Sequence, residues 1–128
     1  MRDEEFLEAF FGGRLGAGEF RHRDHLRLAW LMVRRYGLEE GGDRVVAGIK
    51  RFAAAHGVAD RYHETITRFW LRLVHHAIQV RSRVDEFERF LDAFPSLLDG
   101  SLPRRHWSEE PLEAGRRAWR EPDLASLP

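Results

Sequence analysis

The sequence predicts an all-α fold: a single-domain bundle of four to five helices with a short C-terminal helix and an extended tail. Three observations carry this. Apolar residues recur at three- and four-residue spacing along nearly the whole chain. No stretch of four to eight residues alternates apolar and polar as a strand would. Glycine and proline fall between the periodic runs. A length of 128 residues suits one domain, residues 1–128, with no repeat or linker to divide it.

Phe6, Leu7, Phe10 and Phe11 mark a short first helix, closed by Gly12-Gly13. Residues 12–18 hold four glycines and form a loop. A second helix runs from about His22 or Asp24 to Tyr36, with His22, His25, Leu26, Ala29, Val33 and Tyr36 along one face, and Gly37 stops it. Asp43 is the expected N-cap of a third helix with an inner stripe of Val45, Ile49, Phe52 and His56; Gly57 is its C′ residue. The fourth begins near Tyr62-His63-Glu64 and is apolar on most sides, which marks a central helix. Ser82 and Asp85 form a capping box for the fifth, with Val84, Phe87, Phe90, Leu91 and Phe94 inside and Pro95 ending it. A loop through Pro103, a short helix from about Ser108 to Trp119 and a tail with Pro122 and Pro128 complete the chain.

Lysine plus arginine and aspartate plus glutamate both total 21, so the formal net charge is zero, and 43% of residues are hydrophobic. That balance excludes a disordered tail and a basic nucleic-acid binder. Cysteine is absent, so any metal must be held by nitrogen and oxygen. The acidic start, Met1-Arg2-Asp3-Glu4-Glu5, does not read as a signal peptide, and the longest apolar run, Leu28 to Val33, is too short to span a membrane. The expectation is a soluble cytoplasmic protein. Seven histidines are the main chemical lead.

Short connections favour antiparallel neighbours. On that topology His22, His25, His56, His63, Glu64 and the segment from Pro95 to His106 gather at one pole of the bundle. His75 and His76 lie midway along the fourth helix and read as a half-buried packing residue and a surface residue. His56 before a glycine suits a helix C-terminus. His22, His25 and His63 sit instead at helix N-termini, where the dipole disfavours imidazolium and leaves a neutral ring with a lone pair. The His-x-x-His spacing of His22 and His25 puts both on one helix face. With Glu64 beside His63, the expected catalytic set is His22, His25, His63 and Glu64. The three histidines are the expected ligands of a divalent first-row metal, zinc or iron. Tyr62, Thr65, Arg23 and Arg105 are the expected substrate-binding residues, with Thr67 as a further orienting group. Asp24 is an alternative ligand or proton acceptor. Arg21, Arg23, Arg104 and Arg105 with two helix N-termini favour a small anionic ligand.

Each of these residues also has a structural reading, and a polar network joining helix ends would use the same side chains. The glycine-rich segment at 12–18 lacks both the Rossmann and the Walker spacing, and there is no Gly-x-Ser-x-Gly elbow. Scattered arginine pairs balanced by acids do not make a nucleic-acid groove.

The segments Phe20-Arg21-His22-Arg23-Asp24-His25-Leu26-Arg27-Leu28-Ala29-Trp30 and Tyr62-His63-Glu64-Thr65-Ile66-Thr67-Arg68-Phe69-Trp70, with Glu121-Pro122-Asp123-Leu124, resemble a group of small bacterial all-helical proteins without an established activity. The resemblance spans almost the whole chain and implies that the first two segments belong together. A similarity to DinB-like four-helix metal proteins does not extend to their histidine spacing. Two readings follow: a metal- or histidine-dependent enzyme acting on a small anionic substrate, or a non-catalytic ligand- or peptide-binding accessory module. No nucleic acid or membrane partner is expected. The apolar area of the second and fourth helices would suit a homodimer face or a core equally.

Overall fold

Glycines at 13, 37 and 57 turn this chain in its first half, as the computed structural model, which describes all residues from Met1 to Pro128, shows by their positive φ. It contains six α-helices, three 3₁₀ turns and no strand. The chain divides into two compact units, Met1–Tyr62 and His63–Pro128.

In the first unit α1 spans Asp3–Phe11, with Asp3, Glu4 and Glu5 in its first turn, where the helix dipole favours acids. The Glu5 carboxylate accepts from the Arg2 backbone N–H and from its side chain. Gly12 ends the helix, and Gly13, at φ 72°, turns the chain away. A 3₁₀ turn at Ala17–Glu19 interrupts the expected loop. Next comes α2, His22–Ala55, broken at Gly37, whose φ of 82° and ψ of 174° divide it into two arms. Asp24 secures its start by accepting from the Arg21 N–H at 2.9 Å.

The second arm starts straight after Gly37, not at Asp43, which lies inside it. Gly41 and Gly42 look like poor helix formers, yet both are buried within it. Contact between the arms explains this: a Cβ on Gly41 would lie 2.4 Å from the Met32 carbonyl oxygen. The glycine costs helix propensity and allows the backbones to touch. Gly48 serves α1 similarly, because a Cβ there would meet the Phe10 and Phe11 rings at 2.8 and 3.0 Å. Between them lies an aromatic interior: Phe20 sits 4.7 Å from Phe10 and 5.0 Å from Phe52, centroid to centroid. Gly57, at φ 71°, closes the second arm as expected of a C′ glycine, with Val58 N–H bonded back to Ala53 O.

In the second unit α3 spans Glu64–Val80 and buries Thr65, Phe69, Trp70, Leu71, Val74 and Ala77. His75 is half-buried and His76 exposed, as expected. The predicted Ser82–Asp85 capping box does not form. Val84 N–H bonds Arg81 O in a turn, and α4 begins only at Phe87, running to Ala93 with Glu86 before it. Pro95 opens a 3₁₀ turn, Pro95–Leu98, and part of the expected loop is α5, Pro103–His106. The last helix, α6, covers Glu109–Ala114 and stops at Gly115, short of Trp119. Residues beyond 115 are drawn into bonds with the start of α3 that a continued helix would have to give up. No helix in either unit is long and apolar enough to cross a membrane.

Candidate functional site

The expected site residues fall in both units. In the first, His22, Arg23, Asp24 and His25 form the opening turn of α2 and are all half-buried. The His25 ring stacks on Phe20 with centroids 4.1 Å apart. Burial, assisted by the nearby His22 charge and opposed by Asp24, pushes its pKa down to about 4. The imidazole is therefore neutral at physiological pH, and it makes no hydrogen bond within the protein. His56 is employed differently: its Nε2–H donates to Leu15 O at 3.1 Å, tying the glycine-rich loop to the end of α2, while its ring tilts against Phe52. Tyr62, at the end of this unit, lies under the Lys50 ammonium at 5.1 Å.

In the second unit His63 is the N-cap of α3, and both its ring nitrogens are engaged. Nδ1 accepts from Ile66 N–H at 3.2 Å, and Nε2–H donates to Leu112 O at 2.9 Å. This fixes the neutral tautomer. Burial lowers the pKa below the ordinary histidine value; the Leu112 bond opposes it, Arg116 adds to it and Glu113 opposes it. The lone pair that the sequence leaves available on this ring is spent on capping.

The rest of the Tyr-His-Glu-Thr segment serves the same end. Glu64 and Thr65 N–H donate to the Arg116 and Gly115 carbonyls at 2.8 and 3.1 Å. With Ile66 on His63, the first-turn donors of α3 are all satisfied, so this helix start offers no anion site. Thr65, fully buried, donates through Oγ1 to Ala118 O and accepts from Arg120 N–H, both at 3.1 Å. Thr67 donates to His63 O, and Glu64 pairs with Arg68 at 3.1 Å. A Cβ on Gly115 would sit 2.3 Å from Thr65 Oγ1, which is why this position is a glycine.

The tail is held in the same manner. Trp107, 1% exposed, donates from Nε1 to Arg120 O and meets Phe69 and Trp119 edge-on. Asp123 accepts from the backbone and hydroxyl of Ser108. His106 Nδ1 pairs with Ala125 O, and Leu124 N–H returns to His106 O. Sequence reasoning missed these roles, because a backbone carbonyl leaves no side-chain signature. Only Gly115 and the Pro-Asp pair at 122–123 hinted at them.

Beside this lacework lies a half-open cleft of about 610 Å³, lined by His63, Arg104, Ser108, Glu109, Glu113 and Arg116 over Trp107. Arg116 pairs with Glu113 at 2.9 Å, whereas Arg104 makes no ion pair. Arg105, expected beside the ligand, is exposed and lies 3.9 Å from Asp99. In neither unit do three or more His, Asp or Glu side chains come together to hold a metal ion. No protein-family model, curated protein or solved structure matches the chain.

Proposed function

We infer that the second unit is a non-catalytic binding module whose cleft takes a small ligand carrying both an acidic and a basic group. The supporting observation is the lining: two guanidinium groups and two carboxylates surround a ring, His63, with neither nitrogen free for chemistry. A volume of about 610 Å³ is that of a ligand pocket rather than a single-ion site. Arg104 is the anchor for the acidic end and Glu109 for the basic end. Calorimetric titration with trialanine tests this. Free trialanine is expected to bind, and blocking either terminus to weaken binding about tenfold. Arg104→Gln should remove the difference between the free and amidated C-terminus. Equal binding of all forms, or none, refutes the reading.

Histidine-dependent chemistry is the second reading, and it falls to His25. The neutral, un-hydrogen-bonded ring of His25, with His22 one turn away, suits a base or a ligand of a zinc- or iron-like ion. Metal analysis of untagged protein discriminates: stoichiometric metal that disappears in His25→Ala favours this reading, and metal-free protein opposes it.

A further inference from the structure

The first unit carries a cleft that the binding module of the second unit does not involve. It measures about 360 Å³ and is lined by Leu7 and Phe11 of α1, Met32, Arg35 and Tyr36 of the first arm of α2, and Arg44, Ala47 and Arg51 of the second. Three guanidinium groups border it and no carboxylate does. Its floor is apolar, while Phe11 and Tyr36 keep 39% and 37% of their surface exposed at the rim.

The arginines are placed with some care. The Arg44 guanidinium lies 3.9 Å over the Tyr36 ring, which orients it without consuming its donors. Arg44 and Arg35 each have an outer acidic neighbour, Glu40 at 3.5 Å and Glu4 respectively. Both pairs are exposed, contribute little, and leave each five-donor fork with N–H groups to spare. Arg51 makes no ion pair, so its charge is uncompensated. Arg44 and Arg51 are seven residues apart on one helix, about 10 Å along its axis. Ala47 stands between them on the same face. Its short side chain leaves room between them, both guanidinium groups line the same cleft, and the apolar floor continues beneath.

We propose that this cleft is a binding site for a small monoanion with an apolar body, a carboxylate on a short alkyl or aryl chain. The carboxylate lies between Arg44 and Arg51, and the body rests on Met32 and Leu7 beside the Phe11 and Tyr36 rings. Such a ligand satisfies the free guanidinium bidentately and covers two exposed rings in one step.

Octanoate titrated into the full-length protein is the direct probe, with octanol and octylammonium as matched neutral and cationic controls. Octanoate should bind saturably at one site, at least tenfold tighter than either control. Arg51→Gln should weaken it about tenfold and Ala47→Trp should abolish it, with helicity unchanged in both. Arg104→Gln, in the cleft of the other unit, should bind octanoate like the wild type, so this inference and the zwitterion reading fail separately. Absence of saturable binding, octanol binding as well as octanoate, or wild-type affinity in folded Arg51→Gln would each overturn the proposal.

Discussion

The two units solve the same problem with different forces. In Met1–Tyr62, three helical segments bring aromatic rings and glycine backbones into direct contact, and side-chain hydrogen bonds mostly trim the edges. In His63–Pro128, only α3 is longer than two turns. There α4 and the 95–98 turn still bury Phe87, Phe90, Leu91 and Leu97, but side-chain-to-backbone bonds from His63, Thr65, His106 and Trp107 hold the segment from residue 106 onward. Long amphipathic segments bury enough surface to define themselves. Short helices and an extended tail do not, and need directional bonds to fix their place.

The sharpest way to break the contrast is steric. Gly41→Ala puts a methyl group into the Met32 backbone and forces the arms apart, which should cost about 3 kcal/mol in urea denaturation. A wild-type midpoint would show that close approach does not hold the first unit. Next in size is a pH effect. His25 titrates near 4 when folded against an ordinary value of 6.5, so the unfolded chain takes up the proton first. Its stabilising contribution is complete above pH 6.5 and is lost as pH falls toward 4, by about 2 kcal/mol between pH 7 and 4.5. His25→Leu should lose less stability over that window, and identical pH profiles would contradict the assignment.

In the second unit, Thr65→Val preserves shape while orphaning Ala118 O and Arg120 N–H. About 1–2 kcal/mol and faster amide exchange across 115–120 are expected. If exchange there is unchanged, hydrogen bonding is not what seats the tail. The smallest effect belongs to Asp123→Asn, which weakens the clamp on Ser108. Protease nicking after residue 120 should rise while the thermal midpoint stays within a degree.

The same contrast explains what the sequence disclosed. Periodicity and glycine placement revealed α1, the break at Gly37, the end at Gly57 and the start of α3, because burial writes itself into side-chain spacing. The start of the second arm was hidden, since Gly41 and Gly42 read as loop residues until the arm they touch is known. Ser82 and Asp85 had capping identity without the helix to cap. At the site, a neutral His25 is expected from the dipole at a helix N-terminus, whereas burial of the ring is the main cause of its lowered pKa. His63 had the right residue type in the right place for chemistry, but its partner, Leu112 O, is an atom that every residue type carries.

His63 has one more consequence, which concerns time. Its partner on Leu112 lies 49 residues further along the chain, and the carbonyls that receive Glu64 and Thr65 N–H come later still. During synthesis at roughly 5–20 residues per second, the start of α3 therefore waits about 2–10 s before its partners exist. Through that interval water must hold the bonds that the tail later takes over. A ribosome stalled before residue 112 would leave the Glu64 and Thr65 N–H groups to water, with only the local bond from Ile66 N–H to His63 in place.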